Sequence, residues 1–154
     1  MVSVQVSLKK HKKALMILAA AALIVVACVA VRLHSLPPKT GKSGGQRVTL
    51  QIQNGDYRAF LAQFGLDSNG KPTAEKAVRI PEEFDETYSA YNELQRQAGF
   101  DLTPYRGQEA VQLTFSVRNR TETPRAVLLV LRGCVIGGHL TDGIYGSEPS
   151  ALVI

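Results

Sequence analysis

A chain of 154 residues that is 45% hydrophobic, 20% charged and 6% aromatic has room for one core and is neither collagen-like nor disordered. Its two cysteines, Cys28 and Cys134, are too few for a disulfide framework or a cysteine-based zinc site. The formal charge of +5 belongs to the leader: residues 1–45 hold seven of the 18 Lys and Arg and no acid, and residues 46–154 hold eleven against all 13 Asp and Glu. A phosphate-tracking surface is therefore disfavoured, and no nucleic-acid partner is expected.

Residues 1–13 are basic and expected to be cytoplasmic, with Lys9, Lys10, Lys12 and Lys13 directly before an uncharged run over residues 14–31. As a helix, those 18 residues would span about 27 Å, close to the ~30 Å hydrocarbon core of a bilayer. The lysine cluster favours a cytoplasmic N-terminus, so the lipid bilayer is the first expected partner and the rest of the chain is expected outside the cytoplasm. The run is long for a cleaved secretory signal, and Val29 and Val31 crowd the cleavage site. Val25-Val26-Ala27-Cys28 fits a loose lipobox, which leaves lipidation of Cys28 and leader cleavage open beside an uncleaved signal-anchor.

Residues 32–45, with Pro37-Pro38 followed by a Gly/Ser stretch, read as a tether, and residues 46–154 as the domain. Val48, Leu50 and Ile52 alternate with polar residues as a first strand. Asp56 is a candidate N-cap for a short helix carrying Tyr57, Phe60, Leu61 and Phe64, with Gly65 as its stop. Residues 77–80 form a short strand candidate. A longer helix is expected over 81–98, with Pro81 in its first turn and Phe84, Tyr88, Tyr91, Leu94 and Ala98 on one stripe. Val111, Leu113, Phe115 and Val117 alternate with Gln112, Thr114, Ser116 and Arg118 as a half-wetted strand. Residues 126–131 are apolar throughout, and Arg132-Gly133 turns them into a partner strand over 134–141.

The expected fold class is α+β: a small, mostly antiparallel sheet with two helices packed on one face, preceded by a single transmembrane helix. That arrangement leaves one face of the 126–131 strand without cover. The apolar end Ala151-Leu152-Val153-Ile154 is one candidate lid. A protein partner or self-association through that apolar sheet face is the other.

The chemistry-bearing motifs are weak. Gly41-Lys42-Ser43 imitates the end of a phosphate loop but lacks its first glycine, since Leu36 stands there. Ser68 and Lys71 have Ser-x-x-Lys spacing, but Asn69-Gly70 makes a turn where a helix start is needed. Alternation puts Cys134 and His139 on opposite faces, so the expected pair is a small buried thiol and a surface imidazole. His139 and Asp142 lack a third metal ligand. Asn119-Arg120-Thr121 is a formal glycosylation sequon. Gly137-Gly138 inside a strand marks either a bulge or the close approach of another backbone, of the long helix or of a ligand, with packing against the long helix as the structural reading. No catalytic, cofactor-binding or metal residue is assigned, and no cofactor.

Ile80-Pro81-Glu82-Glu83-Phe84-Asp85, Tyr88, Tyr91-Asn92-Glu93-Leu94-Gln95, Gly99-Phe100-Asp101-Leu102, Tyr105-Arg106-Gly107 and Val135-Ile136-Gly137-Gly138 together resemble the domain of unknown function 4830 family of Gram-positive, clostridia-like bacteria. The resemblance covers roughly residues 48–141. It implies a small membrane-anchored domain and supplies no catalytic or ligand-binding residue. His139 stands where an acidic residue is usual, Leu66 replaces a common Trp, and residues 143–154 diverge. The expected function is a non-enzymatic interaction or sensing module at the cell envelope, single-pass, with its domain outside. The alternative is a small envelope hydrolase-type enzyme using carboxylates near Asp101 and Glu109, beside Tyr105.

Overall fold

A computed structural model describes residues 40–154, so the expected membrane span at 14–31 and Cys28 lie outside the described residues. Residues 40–45, expected as the end of the tether, instead belong to an ordered hairpin. β1 (Thr40–Ser43) pairs antiparallel with β2 (Gln46–Thr49) through a Gly44-Gly45 turn. The chain continues to α1 (Tyr57–Ala62), whose N-cap is Asp56 as expected, its side chain accepting from Ala59 N at 2.9 Å. Then follow β3 (Ala74–Arg79), α2 (Glu86–Gln97), a 3-10 turn (Thr103–Tyr105), β4 (Glu109–Ser116), β5 (Arg125–Leu131), β6 (Cys134–Thr141) and β7 (Ser150–Ala151).

β3 to β7 form one five-stranded antiparallel sheet in sequence order. Arg132 and Gly133 take φ of 51° and 76°, the paired left-handed residues of a turn whose twist matches the strands it joins. Leu50–Ile52, expected to continue the first strand, instead crosses to this turn: Val135 N donates to Leu50 O and Ile52 N to Gly133 O, each at 2.8 Å.

The described chain is mostly sheet, seven strands in two sheets, with one helix of more than six residues. This corrects the expected α+β arrangement of two helices on one face. The helices lie on opposite faces. Val111, Leu113, Phe115, Ala126, Leu128 and Leu140 form the first face, beneath Phe60, Leu61 and Phe64 of the α1 region, Val48 of the hairpin and Leu50 just after it. Val78, Ala110, Leu129, Leu131 and Ile136 form the second face, beneath Phe84, Tyr88 and Tyr91 with Leu102 and Tyr105. The physical reason is β5, which is apolar at every position from Ala126 to Leu131. Burying each large side chain is worth about 1.5–3 kcal/mol, so both of its faces need cover. A helical stripe announces that a helix packs, but not on which face. Leu152 of the tail is fully buried in the first-face cluster, so the tail supplies part of the lid.

No helix among the described residues is long and apolar enough to cross a membrane. α2 begins one turn later than expected, because Asp85 caps it by accepting from Tyr88 N at 2.7 Å, leaving Pro81 outside. Its stripe is also rotated from the expectation: Phe84, Tyr88, Tyr91 and Leu94 are half-buried, while Asn92 and Gln95 are the fully buried positions.

Candidate functional site

The seam between α2 and β6 concentrates the unusual polar chemistry. The β5–β6 register shifts between Leu129 and Val130, opposite Ile136, a bulge of the kind that re-aims side chains. It reverses the alternation expected between Cys134 and His139. Cys134 pairs with Leu131 and His139 with Val127, so both face the second side of the sheet. They have different neighbours: burial first, then Cys134 and Asp101, raises the Tyr105 hydroxyl pKa, whereas His139 meets Tyr91 of α2.

His139 is not the surface imidazole expected from alternation. Tyr91 Oη lies 3.0 Å from its Nδ1, and the rings meet edge-on at 5.5 Å between centroids. Burial holds the imidazole pKa down at about 4 and pushes the Tyr91 hydroxyl up, so both are neutral near pH 7. Tyr88 and Phe84 extend the aromatic row, and the Arg106 guanidinium caps it 4.4 Å from the Phe84 ring centroid.

One turn further along α2, Gln95 reaches into the sheet and accepts from Gly138 N at 2.7 Å. A Cβ on Gly137 would come within 2.9 Å of Gln95 Oε1 and 3.1 Å of Leu102. A Cβ on Gly138 would meet Leu128 and Leu152 at 3.0 Å. The glycine pair is thus explained by close approach of α2 on one side and of the tail on the other.

Asp101 and Glu109 have separate environments. Asp101 Oδ1 accepts from Asn92 Nδ2 at 3.0 Å and Thr103 N at 2.9 Å, and Arg96 Nη2 stands 3.7 Å from Oδ2. Partial burial pushes this carboxyl up, but the Thr103 and Asn92 hydrogen bonds and the Arg96 charge outweigh it and hold the pKa at about 2. A carboxyl so held is a loop anchor and a poor proton carrier near neutrality. Glu109 is exposed at the start of β4, opposite Arg79, and borders a shallow depression with Gln108, Val130 and Arg132 whose lining does not include Asp101.

The remaining motif residues are also internal braces. Ser68 is buried and its Oγ accepts from Gly70 N at 3.3 Å. Asn119 clamps the loop after α1, accepting from Asp67 N and donating to Gly65 O. Gly41, Lys42 and Ser43 lie in β1. Among the described residues, no group of three or more His, Cys, Asp or Glu is placed to hold a metal ion. An open groove of about 440 Å³ runs beside α1, lined by Thr49, Gln51, Gln53, Asn54, Asp56 and Gln63. Gln63 spends its amide on Thr49, accepting from its N at 2.7 Å and donating to its O at 3.2 Å.

Sequence reasoning missed the loop from β6 to β7. Asp142 accepts from Ile144 N at 2.8 Å and from the Ser147 hydroxyl, while Gly143 N donates to Thr141 Oγ1 at 3.0 Å. This bracing holds Ile144 and Tyr145 out in solvent, Tyr145 wholly exposed. The readable signal was two bulky apolar residues between Asp142-Gly143 and Gly146-Ser147, where turn residues close a loop and no alternation buries what lies between.

Comparison with curated proteins and with solved structures gives no match. A family described as a domain of unknown function (DUF4830) matches residues 60–140, which spans α1 to β6 and includes the α2–β6 seam. That match covers more than half of the chain, and the protein belongs to the DUF4830 family.

Proposed function

We propose that the protein is a membrane-held, extracytoplasmic interaction or sensing module of a Gram-positive cell envelope, acting through its surface and not through a catalytic centre. The leader supplies the location, with 18 uncharged residues behind a cluster of four lysines. The observation that carries the interaction reading is the Ile144-Tyr145 projection. Two large side chains held in water by a braced loop forgo burial that a partner would restore, and tyrosine offers both apolar area and a hydroxyl for such a contact. The ionisable groups with strongly displaced pKa values point the same way, because His139 and Asp101 are spent on Tyr91, Asn92 and Thr103.

The test places a photo-crosslinking amino acid at position 145 of the full chain in its native membrane, with position 83, an exposed glutamate, as control. Discrete adducts at 145 that are absent at 83 are expected. Equal labelling at both positions, or none at 145, overturns the interaction reading.

A further inference from the structure

We infer that the free edge of β3 joins two copies of this chain, antiparallel, about a twofold axis at Ala77. β3 is the outermost strand of the five-stranded sheet, and it is six residues long, whereas the opposite edge, β7, has only two. Among the described residues no strand pairs with its outer side. Its register with β4 is regular from Ala74 to Arg79, with no bulge, and the flanking prolines Pro72 and Pro81 fall outside the strand. Of the usual protections of an exposed edge, β3 carries charge and none of the others.

The charges themselves select a partner. Ile80 N donates to Gln108 O at 2.9 Å at the end of the β3–β4 ladder. By antiparallel alternation, Val78, Lys76 and Ala74 then turn their backbone groups toward β4, and Glu75, Ala77 and Arg79 turn theirs outward. A second strand can bond only to these three residues. Centred on Ala77, a second β3 sets Glu75 opposite Arg79 twice, once on each side of the axis, and only two methyl groups meet at the axis itself. Opposite charges on directly facing residues stabilise a strand pair, and like charges destabilise it. Sliding the partner to centre on Glu75 sets two carboxylates face to face. Centring on Arg79 does the same with two guanidiniums. Centring on Lys76 sets two ammoniums face to face, and centring on Val78 leaves Glu75 and Arg79 without an opposite charge, so the pattern favours the Ala77 register.

Among the described residues, the ion pair that Arg79 makes does not oppose the exchange. Arg79 bonds Glu82 at 3.1 Å, but both side chains are mostly exposed and that ion pair is readily traded. The dyad of an antiparallel strand pair is perpendicular to the sheet, so it keeps the first face of both copies on the same side of the joined ten-stranded sheet. The β1–β2 hairpin packs on that face through Val48, so the hairpins of both copies lie on one side of the joined sheet. The edge pairing does not depend on the membrane reading.

The test is disulfide trapping in the full chain, in its membrane, with Cys28→Ser as background and the buried Cys134 retained. Residues facing each other in a bonded antiparallel pair lie about 5.5 Å apart at Cα, within disulfide range. Ala77→Cys is expected to give a disulfide-linked homodimer under mild oxidation, and Gln97→Cys, exposed on α2, is expected to give none. Adding Glu75→Arg to Ala77→Cys should abolish the dimer, and adding Arg79→Glu as well should restore it. Both charged sites are exposed, so folding survives either change. The inference is overturned if Ala77→Cys dimerises no more than Gln97→Cys, or if the charge swap fails to restore dimer. It is equally overturned if the trapped adduct contains a different protein.

Discussion

His139 carries the most specific expectation at the scale of single residues. Its folded pKa of about 4 lies below the unfolded value of 6.5, so the unfolded chain binds the proton first as pH falls. The stability this residue contributes is complete above pH 6.5 and is lost progressively from there toward pH 4. The shift sets an upper limit of about 3 kcal/mol on that loss. His139→Gln should flatten the slope of unfolding free energy between pH 6.5 and 4, measured by chemical denaturation. An unchanged slope would mean that the imidazole is hydrated in solution. Asp101 acts in a separate window: its depressed pKa gives stability that is intact above about 3.8 and lost as pH falls toward 2. None of this was legible from alternation alone. The bulge opposite Leu129 shifts the parity of β6, and no residue near Ile136 announces a bulge except the two glycines that follow it. The buried roles of Asn92 and Gln95 were hidden for another reason. Their side chains satisfy backbone N–H groups of Leu102 and Gly138 that are distant in sequence, and polar letters on a helix read as solvent-facing.

At the scale of elements, sequence reasoning recovered what local chemistry dictates. The Arg132-Gly133 turn, the Asp56 cap, the alternating β4 and the span of β6 all follow from turn, cap and period rules. What it misplaced was relation between elements, above all the face on which each helix lies. β5 contains the clue, since a strand apolar on both sides demands two covers, and α1 with the hairpin on one face and α2 on the other divide that work. The tail has a real but smaller part. Leu152 packs against Leu128 beside Gly138, fully buried, whereas Val153 and Ile154 are partly exposed. Leu152→Ala should cost on the order of 2–5 kcal/mol, the usual range for truncating a buried leucine. Ile154→Ala should cost well under half of that. Equal effects in thermal or denaturant unfolding would show that the tail is held as a unit and not by one anchor.

At the scale of the whole molecule, the described residues close their own core and present outward the braced Ile144-Tyr145 projection and the charged edge of β3. Both are proposed as association features. The proposed function needs the chain to be displayed outside the cytoplasm, an expectation that rests on the leader's uncharged run and lysine cluster. Display outside the membrane is accordingly the central claim. It is tested most directly by paired fusions to Ile154 of the full chain. A phosphatase that folds only outside the cytoplasm is expected to be active, and a fluorescent protein that matures only inside it is expected to stay dark. A bright fluorescent fusion with an inactive phosphatase would place the domain in the cytoplasm and contradict the account.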